Sequence, residues 1–405
     1  MNRSLRRLNY GHVILASGFL VLFFASGTRF AFGLVLKPLS EDLDISRSSL
    51  SSAFTVFMIV SALAMPIVGR LIDRYDIRWT MGIGAVLSSA AIVLMGRVNS
   101  QWELFALYGV ALAIGSASVS VAPVSVLMSR WFPTRRGLAA SAAISGNGIG
   151  QLVIITLMAS FLATLGWRTS YTILGAAFAA VVVPIAIGVV RSHPPATIDA
   201  PGTKSIEGAP VAEESIFHSR NFWLLVAMFG VCGVQDFFMA THIVAFAQDQ
   251  GVGDLLAGNM LAFMGLFGLA GVLLAGAMAD AHGASKPTLL CFVLRIGLFA
   301  YIPLFQDTPS IVAVALLYGF TFTMTAPLTV VFASNIFGTA RLGTVSGLIN
   351  MAHQVAGGLG ALFGAIIFDW RDSYDLAFVV MLGLAFVGLA ATAALNERRQ
   401  YAAVA

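Results

Sequence analysis

The sequence predicts an all-α membrane protein, with twelve transmembrane helices arranged as two pseudo-symmetric six-helix halves. Three observations carry that expectation. Of the 405 residues, 58% are hydrophobic and 10% charged, and the mean hydropathy of +0.88 lies far outside the range of soluble domains, so soluble enzyme readings drop out. Apolar stretches of about 20 residues, the length that crosses a bilayer, recur along the whole chain. Two loop motifs of the first half return in the second at almost the same spacing.

The first apolar stretch, at about 11 to 36, follows Arg3, Arg6 and Arg7. Its run of about 25 apolar residues is too long for a signal-peptide core and lacks a small-residue cleavage site, so it is expected to remain as the first helix. Five more stretches lie at about 50 to 69, 79 to 96, 103 to 128, 137 to 163 and 169 to 190, completing an N-terminal bundle over 1–190. The long hydrophilic stretch 191–220 follows, rich in Pro, Ser, Thr and Glu, with Pro194, Pro195, Pro201 and Pro210; it reads as a flexible cytoplasmic linker. A C-terminal bundle over 221–405 holds the remaining stretches, at about 221 to 247, 256 to 279, 287 to 305, 311 to 334, 342 to 368 and 373 to 395. With the N-terminus inside, 16 of the 23 Lys and Arg fall on the inner side, five fall in outer loops (Lys37, Arg47, Arg97, Arg168, Arg371), and Arg29 and Arg295 lie within spans. The positive-inside rule then puts both termini in the cytoplasm.

The formal net charge of +4 and pI near 9.3 would suit a nucleic-acid partner, but the basic residues sit in short loops between spans and so report topology. Cys232 and Cys291 both fall in apolar segments, which indicates neither a disulfide framework nor a thiolate metal site. No dinucleotide fingerprint, Walker loop, nucleophile elbow or metalloprotease helix is present, so no cofactor, metal or catalytic residue is expected.

The duplication is specific. GRLIDRYDIR at Gly69–Arg78 returns as GAMADAHGAS at Gly276–Ser285, offset by 207, with glycine and aspartate in register. WFPTRRGLAASAAI at Trp131–Ile144 returns as IFGTARLGTVSGLI at Ile336–Ile349, offset by 205. An offset of 206 on the first helix lands Gly27 on Gly233, Phe32 on Phe238 and Arg29 on Gln235, beside Asp236. In a two-fold bundle, equivalent positions lie at similar depth around a site near the midplane, so Arg29 and Asp236 are expected to face each other across a central cavity.

With these halves, GRLIDRYDIR resembles the G-x-L-x-D-R-x-x-x-R loop of the major facilitator superfamily. In the second copy Ala281 stands for the arginine and Ser285 for the last basic residue, which implies weaker loop contacts there. Within that superfamily, GTRFAFGLVLKPLSEDL, RWFPTRRGLAASAAISGNGIG, THIVAFAQDQG and HQVAGGLGALFGAIIFD are similar to segments of bacterial relatives of the monocarboxylate and oxalate/formate porters. The resemblance implies a twelve-helix carrier of small carboxylates, with protons or by anion exchange, its cavity lined by helices 1, 4, 7 and 10. One departure matters: those porters look to a basic residue on helix 8, and the eighth stretch, Leu256 to Ala279, has none. That leaves Arg29 as the expected anion ligand.

A charge at mid-membrane costs roughly 3 kcal/mol on an insertion scale and is kept for a partner, a wet cavity or a ligand. Arg29 offers a planar fork of donors that suits a carboxylate and keeps its charge at any working pH; it is read as substrate-binding, against a permanent pairing with Asp236 or helix carbonyls. Gly27 and Gly33 are expected to leave room around it, and Phe30, Phe32, Phe237 and Phe238 flank the two charges. Tyr108 on helix 4, Asn147 on helix 5, Gln235 on helix 7, and Tyr318 and Thr321 on helix 10 are the other substrate-binding candidates, although hydroxyls also bond their own helix carbonyls. Asp236 and His242 are the proton-coupling candidates: a proton on Asp236 would free Arg29 for an anion, the alternative for Asp236 being a fixed ion pair. Asn350, His353 and Gln354 share a face of helix 11 and suit interhelical hydrogen bonds. Arg295, on a helix that the fold keeps peripheral, reads as structural or snorkelling toward the cytoplasm. Asp73, Arg74, Arg78, Arg130 and Arg136 suit gating by charge pairs that form in one state and break in the other. Glycines 357, 358, 360 and 364, and 146, 148 and 150, permit close helix contact.

The leading expectation is a proton-coupled symporter of small monocarboxylates, a monomer in a bacterial cytoplasmic (inner) membrane. Proton-driven efflux of amphipathic drugs on the same fold is the alternative, though SGNGIGQLV lacks the proline of an antiporter helix 5. A transporter-like sensor is the third, and would need a partner protein for output.

Overall fold

The computed structural model describes residues 3–44, 47–194 and 216–397. Most of the expected linker, 195–215, and the chain ends at 1–2 and 398–405 lie outside the described residues, among which no strand occurs. The helices are α1 (Arg3–Leu43), α2 (Arg47–Arg74), α3 (Ile77–Met95), α4 (Gln101–Trp131), α5 (Arg136–Leu162), α6 (Thr164–Val189), α7 (Arg220–Asp249), α8 (Asp254–His282), α9 (Ser285–Tyr301), α10 (Thr308–Phe337), α11 (Leu342–Arg371) and α12 (Asp375–Ala394). Among the described residues, eleven are long and apolar enough to cross a membrane. The exception is α9, only 17 residues long, which stops short of Pro303, a residue with no N–H to continue the ladder.

Local chemistry sets the boundaries. Asp76 caps α3 by accepting the N–H of Arg78, and Ser100 caps α4 by accepting that of Glu103. Gly166, at φ +73 and ψ 168, a backbone suited to glycine, breaks the helical run in the first turn of α6, just after the end of α5.

The chain forms two compact units, Met1–Pro133 with Ala142–Gly202, and Thr134–Ser141 with Thr203–Ala405. In the first unit α5 lies directly on α1, because a Cβ at Gly146 or Gly150 would strike the carbonyl of Phe19 or Phe23. In the second, α11 lies on α7 in the same way: Gly233 abuts the carbonyl of His353, and Gly360 that of Val234. First-on-fifth packing in each unit is the structural form of the sequence duplication.

Two helices are broken at matching places. In α4 the regular geometry stops at Val119 (φ −115, ψ 25) and Ser120 (φ −88, ψ −178), and in α10 it stops at Thr323 (φ −106, ψ 2). The 205-residue spacing of the loop that follows makes these positions equivalent to within a residue. Breaks at corresponding positions of two repeats free backbone carbonyls at membrane depth, the usual surroundings of a transporter site.

Candidate functional site

Four polar side chains of the second unit converge on one buried charge, Arg295 of α9. Its Nη2 lies 2.7 Å from Asp236 Oδ1, its Nη1 donates to Gln235 Oε1 at 3.1 Å and its Nε to Thr321 Oγ1 at 3.2 Å. Nη2 also donates to the Thr321 carbonyl at 3.1 Å, next to the break in α10. Tyr318 donates its hydroxyl to Asp236 Oδ1 at 2.9 Å and sets its ring 4.8 Å from the guanidinium carbon. Gln235 donates on to the carbonyl of Met381 at 2.9 Å. These bonds use all but one of the guanidinium donors and tie α7, α9, α10 and α12 together.

This decides between the alternatives left open for Arg295 and for Asp236. Arg295 does not snorkel: its side chain is 0% exposed, drawn inward by a carboxylate and by the Thr321 carbonyl at the break in α10, which accepts from it as well as from the N–H of Met324. Asp236 takes its ion pair from Arg295, within its own half, rather than waiting for Arg29. In a low-dielectric interior the carboxylate holds the guanidinium that packing brings beside it. The structure thus gathers Gln235, Asp236, Tyr318 and Thr321 into one network and assigns its centre to a residue the sequence reading set aside. The available signal was the pair of opposite charges in two spans of the same half, Asp236 and Arg295.

His353 reaches this network from α11, with Nε2 3.7 Å from Asp236 Oδ2 and 19% of its side chain exposed. Its ring lies 4.3 Å from that of Phe229 on α7. Its neighbours in the expected polar face behave differently: Asn350 donates within its own helix to the carbonyl of Ser346, and Gln354 is buried. His242 is also buried, with Nε2 2.8 Å from the carbonyl of Ala361 and Nδ1 3.2 Å from the Tyr374 hydroxyl. A carbonyl only accepts, so Nε2 carries a proton, and a neutral ring then accepts from Tyr374.

In the first unit, Arg29 helps to line a pocket of about 240 Å³, counted out to its mouth, with Thr28, Ser88, Ser116, Phe57 and Phe178 among the other walls. Within it there is room for about one water molecule. Arg29 Nη2 contacts Met58 Sδ at 3.2 Å, and its guanidinium sits 5.9 Å from the Phe57 ring centre. The Ser88 hydroxyl is buried with no hydrogen-bond partner among the described residues. Under the 207-residue offset Ser88 is the counterpart of Arg295, so the two halves differ at this position: a filled cationic network in one, a small space beside Arg29 in the other. Gly27 leaves no room around Arg29, since the side chain of Ile154 fills the space its Cβ would take; Gly33 and the side chain of Phe30 lie outside the described residues.

Tyr108 lies in a π-helical stretch of α4, Phe105–Leu112, stacked on Phe32 at 3.9 Å and on Phe57 at 5.1 Å between ring centres. Its hydroxyl has no hydrogen-bond partner among the described residues. Asn147 is half-buried on α5, one residue from the glycine that touches α1. Ser116 and Ser120 donate to carbonyls of their own helix.

In the loop residues expected to gate, Arg130 Nη2 lies 3.6 Å from Asp73 and 3.2 Å from the carbonyl of Ile72. Arg74 and Arg78 lie over the rings of Tyr75 and Trp79. Burial and nearby Arg130 hold the His193 imidazole below its ordinary value, against the pull of Asp76. In the second unit Arg136 donates to Ser334 at 3.2 Å. The second loop copy keeps strong contacts despite its lost basic residues. Asp280 accepts the N–H groups of Gly137 and Leu138 at 2.7 and 2.9 Å, and a helix N-terminus supplies such donors without any arginine. Glu397, unremarked in the sequence, accepts from the backbone of Ala284 and Ser285 and from Asn335.

A family model described as Major Facilitator Superfamily matches residues 18–361 and 235–403. The chain is 30% identical over 380 residues to a Bacillus subtilis protein described as the uncharacterized MFS-type transporter YcxA, over 90% of this chain and 89% of that one. It is 25% identical to human monocarboxylate transporter 11, over 94% of this chain and 81% of the relative. It is also 25% identical to the oxalate:formate antiporter of Oxalobacter formigenes, over 88% and 85%. The solved proton:xylose symporter XylE matches with a TM-score of 0.77 at 16% identity over 97% of both chains, and the E. coli fucose:proton symporter FucP with 0.74 at 12% identity over 95% and 98%. At those identities the likeness speaks for the fold alone. A family model that spans the chain, a relative alike over nine-tenths of its length and the doubled six-helix plan lead to one conclusion: the chain belongs to the major facilitator superfamily of transporters.

Proposed function

We propose that this transporter moves a small organic monocarboxylate across the membrane by alternating access, together with a proton. The observation that carries the reading is the pocket beside Arg29, where a cation stands among apolar walls and next to an unpartnered hydroxyl. A carboxylate suits that combination, since one end of a small acid takes a bidentate cation and the other prefers an apolar wall. The names of its relatives, a monocarboxylate transporter and an oxalate:formate antiporter, support the same substrate class.

Arg29 binds the carboxylate, with Tyr108 stacked on the Phe57 wall of the same pocket; Asn147, level with Phe19 rather than with Arg29, supplies a polar group along the substrate's path. Gln235, Tyr318 and Thr321 act through the Arg295 network. A monocarboxylate and a proton together add no net charge, so the loaded and empty carriers cross the bilayer with the same charge. The asymmetry of Lys and Arg supports two cytoplasmic termini, in the cytoplasmic membrane of a bacterium, and a single chain contains both repeats that the cycle needs.

The test is uptake of labelled pyruvate, lactate and longer or aromatic acids into proteoliposomes, with and without an inward proton gradient, for wild type and Arg29→Ala. Gradient-driven accumulation that Arg29→Ala abolishes is the expected result. Correctly inserted protein that accumulates none of the acids would transfer the assignment to proton-driven efflux of amphipathic compounds.

A further inference from the structure

We infer that His353 is the proton-binding group of this carrier, set against the second oxygen of Asp236. The inference rests on the reading of the carrier as proton-coupled, and it names the site of that proton. Asp236 is poorly placed to carry it. Oδ1 accepts from both Arg295 and Tyr318, at 2.7 and 2.9 Å, and the carboxylate is 7% exposed. Protonating it would strand the charge of a guanidinium that is 0% exposed. Oδ2 faces His353 at 3.7 Å, and the imidazole is the most exposed member of the cluster.

The position of His353 on α11 supports the same role. It begins the stripe that continues through Gly357, Gly360 and Gly364, which presses on α7, while Val355, Leu359, Leu362 and Ile366 form the exposed apolar side of the helix. A lipid-facing imidazole would have no access to protons; this one lies away from the apolar stripe. Imidazole is also the side chain that changes charge between about pH 5 and pH 8. Asp236 on α7 faces it directly, and the ionisable groups behind that carboxylate are Cys232 on α7, Arg295 and Cys291 on α9, and Tyr318 on α10.

Charge counting gives the coupling. Asp236 and Arg295 cancel, so with a neutral His353 the cluster has no net charge. A proton on Nε2 or Nδ1 makes it +1, a charge offset by the one carboxylate that Arg29 binds, and both are discharged when the acid and the proton leave together.

Two measurements test this, and they fail separately. In proteoliposomes, His353→Gln is expected to lose proton-driven accumulation of pyruvate at least tenfold while keeping counterflow exchange at equal pH within about twofold of wild type. Retained accumulation in His353→Gln overturns the assignment, and loss of counterflow as well reduces His353 to a structural residue. Absence of both activities in wild type counts against the proposed function instead. The second measurement needs no substrate: 15N NMR of histidine-labelled wild-type protein in nanodiscs, with the signal assigned by its loss in His353→Gln. That imidazole is expected to gain a proton as the pH is lowered; a signal that stays neutral throughout overturns the proposal.

Discussion

Arg295 Nη2 and Asp236 Oδ1 meet at 2.7 Å in the interior of the second unit, with the arginine side chain wholly buried. Removing one member of such a pair leaves an uncompensated charge and typically costs about 3–5 kcal/mol, whereas replacing both with apolar groups is often neutral. Arg295→Met and Asp236→Leu are each expected to lower the unfolding temperature in detergent sharply, and the double variant to recover most of the loss. The buried thiols of Cys232 and Cys291 supply the readout, since a thiol-reactive dye labels them only as the protein opens. Additive losses in the double variant would show that the two charges are satisfied independently.

Arg29→Lys keeps the charge but loses the planar fork that grips both carboxylate oxygens. Uptake of the best acid is expected to fall at least tenfold with unchanged amounts of inserted protein, and Ser88→Ala, which removes the hydroxyl across the pocket, to raise KM more than it lowers the maximal rate. Normal kinetics in Arg29→Lys would remove Arg29 from the binding site.

The contrast between these two arginines marks what could be read from the chain. The spans, their doubling and the loop aspartates at 73 and 280 are written in hydropathy and spacing, and the fold follows from them. Side-chain partners depend on how each helix is rotated and where it breaks. No periodicity announces the break at Thr323, yet the carbonyl of Thr321 beside it helps to hold Arg295 inward. The match of Arg29 to Gln235 by offset was sound as alignment, but Asp236 next to it had already found a partner on α9. Gly27 misled for the same reason: a glycine beside a charge suggests space, and Ile154 occupies it.

Glycines on α11 separate into two classes that sequence alone does not distinguish. A Cβ at Gly360 would collide with the Val234 carbonyl, which belongs to a helix backbone and cannot step aside, whereas Gly358 has nothing within 4 Å. Gly360→Val is expected to destabilise by about 1–3 kcal/mol or more through overpacking, and Gly358→Ala to be tolerated. Thermal stability of the two purified variants decides; equal losses would mean that α7 and α11 are not held in this close contact in solution.

Asp280 fixes the first turn of α5 through the N–H groups of Gly137 and Leu138. A carboxylate on a helix N-terminus contributes about 0.5–2 kcal/mol, and a contact of that size, present in one conformer and absent in the other, shifts their ratio by roughly 2- to 30-fold. Asp280→Ala should therefore favour the conformer that opens on the cytoplasmic side, with Asp280→Asn intermediate because its amide oxygen still accepts. Asp73→Asn should act in the same direction through its lost attraction for Arg130. Single cysteines placed along the cytoplasmic half of α4 and α10 would label faster in these variants than in wild type. The same rate in all of them would show that loop contacts do not set the conformational balance, and that the aspartates serve only to cap and order the cytoplasmic loops.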